Sequence, residues 1–128
     1  MDTGSRPPLS AFDDGVIRRV ARERELDEAR LRDVLRAHQE GVRSLPGVDD
    51  IVYEWRRTLP RDPLLERRPD VYLLAVEDAV WEEFLDALDC PPGEGDALRA
   101  VHHEQAVEHL GGERVPTGGR SAFVLTRP

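Results

Sequence analysis

The four histidines and the single cysteine of this 128-residue chain are the side chains that could bind a transition metal. His102 and His109 fall on one face of a predicted helix, and with Cys90 they give the spacing Cys-x11-His-x6-His. That spacing matches no standard zinc motif, and a single cysteine provides only one thiolate ligand. His103-Glu104 is not followed by the second histidine that a zinc-hydrolase helix carries. We therefore predict no metal site and no cofactor, with these imidazoles exposed or half-buried on the helix.

Nucleophilic catalysis requires a serine or cysteine beside a histidine and an orienting acid. The four serines lack a Gly-x-Ser-x-Gly context, and Cys90 lies in the most acidic segment, where negative charge raises the pKa of a thiol. Gly118-Gly119 has neither the strand-to-helix context nor the lysine of a phosphate-binding loop. His38, on the apolar face of its predicted helix, is expected to pack at the edge of the core. The chain is accordingly predicted not to be an enzyme.

Every one of the 18 basic residues is arginine, a side chain suited to phosphate contacts. Two segments could present arginines to nucleic acid, a predicted helical hairpin over 14–42 and a predicted wing near residue 120. The candidate contacts are Arg30, Arg32, Arg36, Arg114 and Arg120. In the hairpin, however, acidic residues alternate with the arginines at the spacing of surface ion pairs. DNA binding therefore stays open as the alternative to a protein-interaction role.

The elements that would position these residues begin with two predicted helices. Residues 1–12 contain glycine and prolines without periodicity, and we predict that they form a mobile arm. Residues 13–45 carry two amphipathic stripes separated at Leu26-Asp27, which predicts a helical hairpin or a helix-turn-helix. Pro46-Gly47 ends this part of the chain.

Residues 46–128 are predicted to complete the same small domain with a winged-helix-like part. Apolar spacing predicts three helices, over 48–59, 78–88 and 96–110. The prolines between 60 and 70 predict an irregular crossing without a strand. The predicted class is therefore α+β and mainly helical.

Two apolar segments are expected to build a buried sheet. Residues 71–76 form a short run rich in β-formers, as in a strand that is covered on both faces. Residues 114–126 are predicted to form a hairpin around Gly118-Gly119. Pairing of 71–76 with 121–126 gives a three-stranded sheet, which is favoured because two strands alone are marginally stable. The resulting order of helix, strand, helix, helix and hairpin is that of a winged helix.

One segment of the chain resembles known sequences. The run 48–64, VDDIVYEWRRTLPRDPL, together with VWEEF at 80–84, resembles uncharacterised small proteins of halophilic archaea. The resemblance extends over residues 14 to 126. It implies an origin, and it implies no activity or functional residues.

The chain carries a net charge of −8 that is unevenly distributed. Residues 77–113 hold eleven acids and one arginine, so this segment would repel a polyanion. An acidic excess without any lysine is typical of a cytosolic protein from a salt-in halophile, because the Debye length falls to about 3 Å at 1 M salt. No apolar run approaches the roughly 20 residues of a membrane span, so a cytoplasmic location and no membrane partner are expected.

These observations together predict a small regulatory or protein-interaction module without catalytic activity. Its partner would be another protein or a second copy of the chain, since amphipathic helices beside a small sheet suit a homodimer. The alternative is a DNA-binding regulator of the winged-helix or helix-turn-helix type.

Overall fold

The computed structural model describes residues 5–128. Their helices and strands follow in the order α1 (Asp14–Glu23), α2 (Glu28–Ser44), α3 (Val48–Thr58), β1 (Leu64–Arg67), β2 (Val71–Glu77), α4 (Asp78–Leu88), α5 (Pro92–Leu110), a 3-10 turn (Gly112–Arg114) and β3 (Arg120–Thr126). The predicted class, α+β and mainly helical, is confirmed. The predicted helical hairpin also forms, with the apolar stripes of α1 and α2 buried against the core.

The sheet has the order β1-β2-β3, and both pairs of strands are antiparallel. In the longer pair the register runs from Val71 opposite Thr126 to Glu77 opposite Arg120. The predicted pairing of 71–76 with 121–126 is therefore confirmed. The first six residues of β2 are all buried, as an apolar run in a central strand requires.

The predicted hairpin over 114–126 is wrong. Gly112–Arg114 forms a 3-10 turn, and β3 pairs with β2 rather than with the residues that precede it. The hairpin of the sheet is instead β1-β2, and its first strand lies in the 60–70 segment for which an irregular crossing is predicted. Pro63 and Pro69 are compatible with this hairpin because they flank β1 and need no ladder N–H. The two strands of a wing that are predicted after α5 are therefore not both present, because β3 is the one strand that follows α5 in residues 5–128.

The predicted arm is partly wrong as well. Residues 1–4 of it lie outside the described part of the chain, whereas Ala11 and Phe12 are buried in the core. The Phe12 ring lies 5.1 Å from the ring of His102, edge to face. Residues 9–12 therefore belong to the packed domain, because an aromatic side chain in this position gains more from burial than from exposure.

The helices meet the sheet at an aromatic cluster. The indole of Trp81 on α4 is fully buried, with its ring centre 4.6 Å from that of Phe123 on β3. Phe84, one turn further along α4, lies 5.1 Å from the same ring. Trp55 of α3 approaches Phe123 to 5.2 Å. The Trp81 face of α4 thus packs over the sheet.

Candidate functional site

The three candidate arginines on α2 are all engaged within the domain. Arg30 contacts Glu94 of α5, with 3.0 Å between Nε and Oε1. Arg36 contacts Asp33 at 3.3 Å. Arg32 contacts two carboxylates, and its distances to Glu28 and Asp14 are both 2.9 Å. The exposed side of α2 therefore carries ion pairs rather than a row of uncompensated cations.

The two candidate arginines near the C-terminus brace the sheet. Arg114 contacts the Glu66 carboxylate at 2.9 Å and donates to the Leu65 carbonyl at 3.2 Å. Arg120 donates to the carbonyls of Asp62 and Ala75, at 3.1 Å each. Because Arg120 begins β3, it does not lie at the tip of a wing as predicted.

Two histidines are fully buried in the aromatic cluster. His38 of α2 and His102 of α5 lie with their ring centres 5.0 Å apart, and His38 stacks on Trp81 at 5.3 Å. Burial lowers the pKa of His38 to about 3, and burial with the neighbouring His38 lowers the pKa of His102. Both imidazoles are therefore neutral near pH 7.

This burial corrects the predicted exposed or half-buried position of His102, whereas His103 and His109 are indeed half-buried. His109 Nδ1 lies 2.9 Å from the Gln105 carbonyl of its own helix. Within residues 5–128 no group of three or more His, Cys, Asp and Glu side chains is placed to hold a metal ion.

The outer edge of β3 is closed by side chains from three helices, which we call the edge cap (Gln39, Trp81 and His102). The Trp81 indole donates to the Ala122 carbonyl at 3.1 Å. The Val124 N–H donates to His102 Nδ1 at 2.9 Å, so the ring hydrogen of this neutral imidazole lies on Nε2. The Gln39 amide donates to the Val124 carbonyl and accepts from the Thr126 N–H, at 2.9 Å each.

The edge cap supplies the hydrogen bonds that a fourth strand would make, and thereby prevents another chain from pairing there. The apolar spacing that predicts the helix over 78–88 includes Trp81, but it gave no indication of the roles of Gln39 and His102. The one available signal was a glutamine directly beside His38 on an otherwise apolar stripe.

A groove of about 440 Å³ lies between α3 and the sheet, and we call it the α3 groove. Its lining includes Asp49, Tyr53, Arg56, Arg67, Tyr72 and Arg127. The Tyr72 hydroxyl donates to the Asp49 carboxylate, and the Arg127 guanidinium lies 4.8 Å above the Tyr72 ring. Burial, followed by the Asp49 hydrogen bond, raises the pKa of Tyr72. These contacts fix the floor of the groove.

Large exposed hydrophobic side chains are found at this end of the molecule. Tyr53, on the rim of the α3 groove, is 66% exposed, and Leu45, three residues before α3, is 82% exposed. The Arg57 guanidinium lies 5.5 Å from the centre of the Tyr53 ring. Neither residue lies on the apolar stripe that predicts α3, so the spacing gave no signal for them.

Comparison with known proteins places the chain in a family. A model for a domain of unknown function, DUF8048, matches residues 10–127. The chain belongs to this family. No curated protein and no solved structure matches it. The DUF8048 match begins just before the buried residues Ala11 and Phe12, in agreement with their place in the core.

Cys90 is the one cysteine of this DUF8048 chain, and it is half-buried. Burial, followed by the Glu94 carboxylate, raises the pKa of the Cys90 thiol and so disfavours the thiolate. In the described part of the chain, no helix is both long enough and apolar enough to cross a bilayer.

Proposed function

We propose that this DUF8048 domain is a small, non-enzymatic interaction module that binds another protein through the exposed face of α3. The proposal rests on Tyr53, whose ring is 66% exposed while the other aromatic rings of residues 5–128 are buried or half-buried. A tyrosine offers a large apolar surface and a hydroxyl at a low cost in side-chain entropy, and such residues are enriched at protein interfaces. Leu45 adds a second exposed apolar side chain beside the same helix.

The α3 groove next to Tyr53 supplies the polar rim that such an interface needs. Arg67 lines this groove and has no carboxylate within 4.0 Å among residues 5–128, so its guanidinium is available to a partner's acid. Arg56, by contrast, is held by Asp62 at 3.1 Å. A partner segment with an apolar side chain next to an acidic one would match Tyr53 and Arg67 together.

The pairing of the candidate arginines supports this function over DNA binding. A phosphate would have to replace carboxylates that already satisfy Arg30, Arg32 and Arg36, and replacement of one anion by another gains little. Arg114 and Arg120 are likewise engaged with β1 and the residues around it. DNA binding is retained as a distinct outcome of the test below.

The setting we propose for this module is the cytosol of a salt-adapted organism. The net charge of −8 and the absence of lysine support it. Concentrated salt screens repulsion among exposed acids, and an interface built on Tyr53 is less sensitive to salt than one built on charge pairs. A hydrophobic anchor is thus the form of recognition that suits these conditions.

The test is a capture experiment from a high-salt lysate of the source organism, divided into nuclease-treated and untreated halves. Wild-type bait is compared with a double variant, Tyr53→Ser with Leu45→Ser, and with Ala87→Ser as a control at an exposed apolar position on α4. A protein that survives nuclease treatment, is lost with the double variant and is kept by Ala87→Ser supports the proposal.

Two other outcomes contradict it. Capture of DNA that disappears when Arg30, Arg32 and Arg36 are all replaced by alanine would establish the nucleic-acid alternative. Capture that is unchanged by the double variant would place the interface away from α3. Sedimentation of the purified chain over a range of concentrations shows whether the partner is a second copy.

A further inference from the structure

A second recess, which we call the α5 cleft, has a volume of about 570 Å³ and shares no residue with the α3 groove. It lies between the outer face of α5 and the loop that leads into β3. Its lining includes Arg24, Asp78, Asp96, Arg99, His103, Glu104, Thr117, Gly118, Gly119 and Ser121. The volume falls within the range of small-molecule sites. The interaction function proposed above makes no use of it.

Two of the three acids in the α5 cleft are neutralised by neighbouring arginines. Asp78 lies 2.8 Å from the Arg99 guanidinium, and the Ser121 hydroxyl donates to the same carboxylate at 3.0 Å. Glu104 lies 2.8 Å from Arg19 of α1. These pairs form one wall of the cleft and leave Asp96 as its remaining acid.

The cations of the cleft are less well compensated than its acids. Arg24, at the end of α1, has no carboxylate within 4.0 Å among residues 5–128. Arg120 also lines the cleft, and its guanidinium donates only to carbonyls, while its buried Nε has no hydrogen-bond partner. With Arg19 beside Glu104, four arginines (Arg19, Arg24, Arg99 and Arg120) lie in or beside the cleft against its three acids. A local excess of positive charge therefore occurs in a chain whose net charge is −8.

The loop side of the cleft leaves backbone open to a ligand. Gly118 and Gly119 both have positive φ angles, 74° and 91°, and a Cβ at either position would meet nothing within 4 Å. The Asp78 N–H donates to the Gly119 carbonyl at 3.1 Å, which ties the loop to the start of α4. The loop is thus fixed at one end, and its two glycines leave open space where other residues would carry a side chain.

From these features we propose that the α5 cleft binds a small, multiply charged anion that carries phosphate or carboxylate groups. Arg24 pairs with the anion, and Thr117 and His103 supply hydrogen bonds from opposite walls. Arg99 is a positioning residue, because its pair with Asp78 and Ser121 holds α5 against β3. Charge-assisted bonds of this kind are the strong ones, so the loss of Arg24 must show in the affinity.

Isothermal titration calorimetry on the full chain, at low and constant ionic strength, tests this inference with inorganic pyrophosphate and citrate as probes. We expect saturable binding of at least one probe. Binding of pyrophosphate would indicate recognition of phosphate groups, and binding of citrate would indicate recognition of carboxylates. Arg24→Gln should weaken that binding by about tenfold or more, equivalent to 1.4 kcal/mol. The matched control is Arg22→Gln, an exposed arginine in the last turn of α1 that does not line the cleft.

Absence of saturable binding for both probes would overturn the inference. Equal weakening by Arg22→Gln and Arg24→Gln would also overturn it, because the effect would then come from total charge alone. The Tyr53→Ser variant should bind the probe as the wild type does, so the outcome is independent of the interaction function.

Discussion

Acidification should destabilise this domain well above the pH at which carboxylates titrate, because two imidazoles are buried in neutral form. An unfolded histidine titrates near 6.5, whereas the pKa of His38 in the fold is about 3. Between these values the unfolded state binds a proton that the folded state does not, so the free energy of unfolding decreases as the pH falls. At about pH 5 the loss from His38 is about 2 kcal/mol, from 1.36 kcal/mol for each pH unit below 6.5. The lowered pKa of His102 adds a loss of the same sign.

Denaturant unfolding followed by tryptophan fluorescence, at several pH values between about 7 and 5, measures this slope. His38→Leu should lose the His38 part of the pH dependence, about 2 kcal/mol between pH 6.5 and pH 5, whereas His102 keeps a slope of the same sign. His103→Gln, a half-buried residue next to His102, is the control and should keep the full slope. An identical slope in His38→Leu and the wild type would refute the reasoning, because the proton uptake would then come from other groups.

Three further predictions concern stability. Gln39→Ala should reduce the free energy of unfolding by about 2–4 kcal/mol, because the Val124 carbonyl and the Thr126 N–H lose their partners. The same denaturant titration measures this loss, with exposed Glu40→Ala as the control. A loss no larger than that of the control would argue against an edge cap. Trp81→Ala should reduce the free energy of unfolding by about 3–5 kcal/mol, because a fully buried ring is lost. A reduction of less than about 1 kcal/mol, measured by calorimetry, would contradict the packing of this ring. The melting temperature should rise in KCl between about 0.1 M and 3 M as repulsion within 77–113 is screened; a flat or falling series would exclude salt adaptation.

The local elements of this fold could be predicted because their apolar spacing is regular. Leu31, Leu35 and Val42 mark one helix face, and the uninterrupted run of β2 marks a strand covered on both sides. The pairing of β2 with β3 could also be predicted, because these are the two short apolar segments that are available to form a buried sheet.

Long-range competition explains the errors. The Gly118-Gly119 turn signal predicted a local hairpin. In the structure, β3 pairs with β2 over seven residues, whereas the segment before the turn, residues 112–115, is shorter and is partly in a 3-10 turn. The partners of the candidate arginines depend on long-range contacts in a similar way. Their ion pairs at i, i+4 spacing were visible in the sequence, whereas the Arg30 pair with Glu94 and the Arg114 pair with Glu66 bridge distant segments.

The buried polar residues could not have been found from periodicity. Apolar spacing tells which face of a helix is covered, but it does not tell which backbone group the covered face will meet. His102 and Gln39 are tolerated in the core only because β3 presents its N–H and C=O groups to them. Such a match is a property of the assembled sheet and of no single segment.

The edge cap also has a consequence for synthesis on the ribosome. The strand that it holds, residues 120–126, is translated after all three helices that contribute the cap. Until then one edge of β2 stays unpaired, and Trp81, His38 and His102 lack the Phe123 ring against which they pack. A nascent chain that stalls before β3 therefore exposes an apolar strand with open hydrogen-bonding groups, the kind of species that aggregates or recruits a chaperone. Completion of the aromatic cluster and of the sheet thus depends on the last strand of the domain.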